Sequence, residues 1–355
     1  GYGSIATATA NDSVAIGSKS YAGAVRSVAQ GATASATGVD SIAAGSFAKA
    51  TANRASAFGL ATVASGLEAL ASGASATALG NSSVAIGSQA KAVEQNSGGT
   101  EAQVAIGFKS LAGSVADQGI AIGAEATATG AYSMAVGGNS DPTALLAAAF
   151  GDNAQALAER ATALGYKTSA SGLDSTAVGS NASASGIEAV AIGYFSTSTG
   201  ADAIAIGTGA IAAGKQSISI GYKNNVTGDN AGAFGDPNTV AGAASYAFGN
   251  NNNIASTATQ SVAIGNNNSI TTANTFVVGN STTATLANSV SLGNGAQMVA
   301  ATTYTAGVGT VTNATVGGVT YSGFAGTAAT GVVSVGATGA ERRIQNVAAG
   351  LITAT

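Results

Sequence analysis

The chain contains no cysteine, no histidine and no tryptophan, only two prolines, and few charges, 8% of its 355 residues. Each absence removes a class of chemistry. Without cysteine there is no disulfide framework, thiolate metal site or thiol nucleophile. Without histidine there is no imidazole metal site and no Ser-His-Asp triad. Twelve basic against sixteen acidic residues, a net charge of −4, do not make the basic footprint of a nucleic-acid binder. No run approaches the roughly 18 large apolar residues of a membrane-spanning helix. The chain opens Gly1-Tyr2-Gly3, without a charged and then apolar leader, so any targeting signal is expected outside this sequence. Aromatic residues are 5% of the chain, too few for an ordinary globular core of this length.

What is abundant is small. Glycine alone accounts for 51 residues, and alanine, serine, threonine and asparagine fill much of the rest, a composition shared with low-complexity disorder. Collagen is excluded, since glycine does not fall at every third position and proline is almost absent. Register excludes disorder. A tetrapeptide ending in glycine, as in Val14-Ala15-Ile16-Gly17, places that glycine at 3, 17, 31, 45, 59, 73 and 87, then at 107, 123, 137, 151, 165, 179, 193, 207, 221, 235 and 249, and finally at 265, 279 and 293. All steps are 14 except 87 to 107, which is 20, and 107 to 123 and 249 to 265, which are 16. A second glycine often falls seven residues after the anchor, as at 66, 172, 186 and 228. The unit is therefore two half-repeats, each a short strand plus a turn.

The residues three and one before the anchor, such as Val190 and Ile192, are large and often β-branched. Two apart, they share one face of a strand and are expected to form the core. The residue between them is alanine at 17 of the 20 turns from anchor 17 to anchor 293, and Ser219, Val277 or Ser291 at the others. Such constant smallness implies close approach of another surface. The expected cover is a second copy of the chain, with Ala15, Ala85, Ala105, Ala121, Ala191, Ala205 and Ala263 at the interface between copies. The alternative is that alanine fits a tight interior bend. Twenty-one stacked turns of about 4.8 Å would give a rod of roughly 100 Å.

Three segments, Asn11-Asp12-Ser13-Val14-Ala15-Ile16-Gly17-Ser18, Asn81-Ser82-Ser83-Val84-Ala85-Ile86-Gly87-Ser88 and Gln260-Ser261-Val262-Ala263-Ile264-Gly265, resemble the head repeats of trimeric autotransporter adhesins of the YadA type. Gly339-Ala340-Glu341-Arg342-Arg343-Ile344-Gln345-Asn346-Val347-Ala348-Ala349-Gly350 resembles the neck that joins head to stalk. The resemblance implies an all-β fold, a left-handed parallel β-roll (solenoid) of 14-residue repeats, trimeric, with a C-terminal neck. It divides the chain into a head at 1–294, a β-rich insertion or elongated neck at 295–336, and a neck at 337–355. It also implies a homotrimer on a Gram-negative cell surface, with a stalk and outer-membrane anchor beyond this sequence and a role in virulence. Two stretches depart from the plain pattern. The polar insertion between Val93 and Gln103 is expected to leave the roll as a loop, and 295–336, rich in Thr, Val and Gly, to form a short β excursion covering the end of the roll.

The densest charge is Glu341-Arg342-Arg343, with Asn346 nearby. In a neck these side chains are expected to make ion pairs between chains; the bland alternative is a solvated charge run. Tyr166-Lys167, Tyr194-Phe195 and Tyr222-Lys223, like Phe108-Lys109, occupy the two positions after an anchor. The first three recur every 28 residues and are candidates for a ligand-binding stripe, or merely shields of the turn. Asn250 to Asn253 and Asn266 to Asn268 follow anchors and read as turn residues able to stack in ladders. Scattered carboxylates (Asp40, Glu68, Asp174, Glu188, Asp202) form at most a weakly acidic stripe, and no enclosed cleft for a catalytic pair is expected.

The expected function is thus an adhesin head without enzymatic activity, cofactor or metal. Its expected partners are matrix proteins such as collagen, fibronectin or laminin, host or bacterial cell surfaces, or abiotic surfaces, with the membrane reached only through the anchor. The rivals are an ice-binding solenoid, for which pairs such as Thr127 and Thr129 would have to recur at every turn, and a non-binding spacer.

Overall fold

The computed structural model describes residues 5–93, 102–113, 118–298, 313–323 and 330–348. Among them there is no helix. Every 14-residue rung contributes a three-residue strand ending just before the anchor glycine and a two-residue strand four residues after it, as in Val190–Ile192 and Thr197–Ser198. Strands this short persist only because each pairs with its equivalents in the neighbouring rungs.

The chain divides into two compact units, 1–202 and 203–355. In the first, thirteen three-residue strands from Val14–Ile16 to Val190–Ile192 pair in parallel. Ala71 lies beside Ala85 and Ala177 beside Ala191, so register is one repeat. Register survives the longer steps: Val84 pairs with Val104 and Val104 with Ile120. The expected loop of the first insertion, 94–101, lies outside the described residues. The second unit repeats the plan in seven three-residue strands from Ile204–Ile206 to Val290–Leu292, and the 16-residue step is absorbed with Tyr246 paired to Val262.

Two tight turns close each rung, and both place one residue in the left-handed region. The position two after the anchor does so at Lys167 (φ 52°), and the position nine after it at Asp174 (φ 57°). The anchor itself sits near φ +125° in Gly265, and a Cβ there would lie 1.9 Å from the carbonyl oxygen of Gly279 in the next rung. Conformation and close approach both demand glycine.

The interior is built from four inward positions per rung, exemplified by Ser83, Ala85, Ala90 and Ala92, all fully buried. Both strands of a rung point these residues at each other across the width of two turns, so only small side chains fit. The second unit enlarges this core on one side. Val226, Val240, Ile254, Ile270 and Met298 replace alanine, while Asn224, Asn238, Asn252 and Asn268 stack beside them, also buried.

Beyond the last rung, Val333–Ser334 pairs in parallel with Val290–Leu292 and continues the ladder. Asn313–Val316 and Val319–Ser322 form an antiparallel hairpin. The rest of 295–336 (299–312 and 324–329) and the end of the expected neck, 349–355, lie outside the described residues.

Candidate functional site

The strand face opposite alanine is the part of the surface that most needs a partner. In the three-residue strands the middle residue points inward and its two neighbours point out. Ala85, Ala105, Ala121, Ala191, Ala205 and Ala263 are completely buried within a single chain. Ala15, in the first described rungs, is half-buried and packs on the same interior. This corrects the expected interface. The alanines are small because the opposite wall of their own roll lies against them, so no second chain can reach them. The expected core residues are the ones facing out: Ile192 is 38% exposed, Ile264 39% and Phe248 40%. Phe248 stacks on Phe234 of the preceding rung, ring centroids 5.0 Å apart and 3° from parallel. Each unit therefore carries a continuous ladder of Ile, Val, Leu and Phe on one side. The short strands opposite present mostly Ser, Thr, Asn, Gln and Lys. Contiguous apolar surface of this kind marks an interaction site.

The turn residues form a second candidate. Lys167 Nζ lies 5.2 Å from the ring centre of Tyr166, and Phe195 meets Tyr194 edge-to-face at 4.5 Å and 88°. Lys109 lies 4.9 Å from Phe108. In the second unit Lys223 is 4.9 Å from Tyr222, whose backbone N–H donates to Asp236 at 3.1 Å. All of these aromatic rings are about half exposed. Tyr166 and Tyr194 belong to one unit and lie two rungs apart.

The residues expected in a neck turn toward their own chain. Arg342 donates to the carbonyls of Val335 at 2.7 Å and Asn294 at 2.6 Å, and its guanidinium covers Gly293. Glu341 accepts from the backbone N–H of Gly339 at 2.9 Å, which holds its carboxyl below the usual range. Arg343 and Asn346 are exposed, Asn346 in a left-handed conformation. Within its own chain the guanidinium of Arg342 thus caps the roll by binding carbonyls.

Two features go beyond what the sequence predicts: the pairing of arginines with carboxylates one rung away, and the burial of an asparagine column whose members Asn252 and Asn268 were expected only as turn residues able to stack. Arg26 binds Asp40, Arg54 binds Glu68 and Arg160 binds Asp174, each pair one rung apart, with Arg160 also touching Glu159. The guanidinium hydrogen bonds hold Asp40 and Asp174 below the usual carboxylate range, whereas partial burial pushes Asp141 up. The signal was present: all these residues except Glu159 and Asp141 stand nine after an anchor. The buried asparagine column likewise follows four consecutive anchors by three.

Comparison with known proteins agrees with this geometry. The YadA head domain repeat matches in overlapping copies across 3–20, 22–62, 64–92, 114–140, 143–168 and 170–236, more than half of the chain. A solved structure, the C-terminal YadA-like domain of a Burkholderia pseudomallei protein, is 35% identical over 36% of this chain and 40% of its own, with a TM-score of 0.17, and the assignment does not rest on it. No curated protein matches. Parallel 14-residue rungs and a family match over most of their length lead to one assignment: the chain belongs to the YadA head family, the repeat heads of trimeric autotransporter adhesins.

Proposed function

We propose that three copies of the chain associate through the exposed Ile, Val, Leu and Phe ladders and present identical rungs to a target surface at the bacterial exterior. The family is adhesive rather than enzymatic and belongs to the cell surface. The observation that carries the reading is the contrast between the two sheets of each unit, one apolar outside and one polar outside. A polar face is stable in water, whereas an apolar ladder repeated rung after rung is not. Covering it with copies of itself requires no other partner and places the polar faces outward. Many weak contacts then sum through effective concentration. Matrix proteins such as collagen, fibronectin or laminin, cell surfaces, and abiotic solids are the proposed targets.

Light scattering after size exclusion tests the assembly. The chain has a mass of 33.4 kDa, so a trimer weighs about 100 kDa. A folded monomer would overturn the proposed interface. Attachment of the assembled head to coated and bare plastic tests adhesion itself.

A further inference from the structure

Three consecutive rungs of the first unit differ from their neighbours on the polar face. The short strands Ser169–Ala170, Ser183–Ala184 and Thr197–Ser198 pair in parallel, Ser169 beside Ser183 and Ser183 beside Thr197. Two residues beyond each first hydroxyl stands another: Ser171, Ser185 and Thr199. The first member of each pair is half-buried and the second exposed. None of these six hydroxyls bonds to another described side chain or carbonyl, unlike Thr271 and Thr285 of the second unit, which bond the carbonyls of Ala284 and Met298. The result is a flat array of free hydroxyls, about 4.8 Å apart across rungs and about 6.7 Å apart along each strand.

Its two edges are unlike. The turn entering these strands carries Tyr166 and Tyr194, 48% and 55% exposed and separated by two rungs, about 10 Å. The turn leaving them carries Glu188 and Asp202, both exposed, and Asp174, already held by Arg160.

We propose that residues 165–202 bind an extended β-1,4-linked glycan lying along the repeat axis. The chemistry of such a chain matches each part of the face. The ribbon turns the same ring face to one side at every second sugar, a period close to two rungs, which suits stacking on Tyr166 and Tyr194. Sugar hydroxyls donate and accept, as the serine and threonine hydroxyls do. The carboxylates of Glu188 and Asp202 accept from sugar hydroxyls and disfavour an anionic polymer. The occupant is therefore a neutral glycan. The proposal extends the adhesive reading but uses residues separate from the self-association ladder, so either can fail alone.

The test is co-sedimentation of the full chain with insoluble cellulose and with insoluble chitin. Wild type is expected to sediment with at least one of them. Tyr166→Ala combined with Tyr194→Ala should weaken retention at least about tenfold, and so should Thr197→Val combined with Thr199→Val. Tyr132→Ala, which removes a ring 45% exposed but outside 165–202, should leave retention unchanged. Circular dichroism confirms that each variant is folded. Equal retention of wild type and both double variants overturns the proposal. So does a folded wild type that sediments with neither polymer; if that protein still attaches to plastic, the adhesive reading survives, and if it does not, both fail. Thermal hysteresis by a wild type that ignores both polymers would reassign the hydroxyl array to ice and overturn the glycan site.

Discussion

The side-chain amide of Asn252 donates to the side-chain oxygen of Asn238 at 2.9 Å, one rung away, and Asn268 donates to Asn252 at the same distance. Asn224 starts the column, accepting from Asn238 at 3.0 Å. Each amide also reaches the anchor carbonyl of the following rung, as Asn238 does to Gly249 at 2.6 Å. Each oxygen in turn accepts from the backbone N–H of the next asparagine, or of Thr282 after Asn268. These buried amides are satisfied at both ends, which is the condition for a polar column inside a protein.

Removing one member strands its neighbours. Asn238→Ala leaves the backbone N–H of Asn252, one of its two amide hydrogens and the carbonyl of Gly249 without partners in a dry interior, a loss of about 3 kcal/mol. Asn250→Ala removes only an exposed oxygen that accepts from the backbone N–H of Asp236, a loss below about 1 kcal/mol. Denaturant midpoints of the two variants measure the difference. Equal midpoints would show that the column carries no special stability.

Inside and outside of the three-residue strand can be separated by mutating adjacent residues. Ala191 is fully buried and Ile192 is 38% exposed. Ala191→Leu overpacks the roll and should lower the denaturation midpoint by the equivalent of about 3 kcal/mol. Ile192→Lys should leave the β circular dichroism of the chain intact while reducing its mass by light scattering. A monomeric but stable Ala191→Leu, or an assembled Ile192→Lys, would contradict the assignment of faces.

How the faces were misread shows what a repeat sequence displays and what it hides. The 14-residue period, the strand before each anchor and the parallel stacking were all legible, because glycine at the anchor is required by both backbone angle and close approach. The direction of each strand face was not. Alternation shows that Ala191 and Ile192 point to opposite sides, but size alone does not say which side is the interior. In most sheets the larger residue is inside. Here the rung closes on itself within 14 residues, and the interior behind Ala191 admits only small side chains. The turn pairs were located by spacing, whereas the Arg26–Asp40 type of contact required knowing that positions 14 apart touch. Arg342 was expected in a neck, yet its carbonyl partners, Val335 and Asn294, stand in no motif.

Glycines with and without positive φ should respond differently to a methyl group. Gly172 has ordinary backbone angles, but a Cβ there would lie 1.8 Å from the carbonyl oxygen of Gly186. Gly172→Ala must push two rungs apart, at about 3 kcal/mol or more. Gly295 has φ +67° and nothing within 4 Å of the added atom, so Gly295→Ala incurs only left-handed strain of about 1 kcal/mol. Thermal melts should rank the two accordingly, and the reverse order would refute the tight stacking.

Acid should act in two opposite directions. The carboxyls of Asp40 and Asp174 are held low by Arg26 and Arg160. Their contribution is present above the unfolded value of about 3.9 and is lost as pH falls through their lower folded values. Both are partly exposed, so the loss is small and should shrink in high salt. Asp141 is pushed up by burial, so its folded form takes a proton first and its charge opposes folding near neutrality. Asp141→Asn should therefore raise the melting temperature at pH 7 and lose that advantage below about pH 4. Melts of Asp141→Asn and Asp174→Asn across pH 3 to 7 read both signs, and a parallel response would refute the opposition.

The last prediction concerns hydroxyls that do nothing in the interior. The Oγ atoms of Ser41, Ser83, Ser133, Ser175 and Ser217 are buried without a hydrogen-bond partner. Each stands four residues before an anchor. Ser175 lies in a row with Ala161 and Ala189, since Thr176 pairs with Thr162 and with Val190. Alanine therefore fits this site in both adjacent rungs. Ser175→Ala removes an unpaired polar atom and leaves no cavity larger than that atom, so the melting temperature should stay level or rise. Ser245, four before Gly249, donates instead to the carbonyl of Ala258 at 2.8 Å and accepts from the N–H of Ser261. Ser245→Ala breaks both bonds and should lower the midpoint by about 2 kcal/mol. If the two variants melt together, the hydroxyl of Ser175 has a partner in solution, and serine at this position is a hydrogen-bonded device rather than a tolerated substitute for alanine.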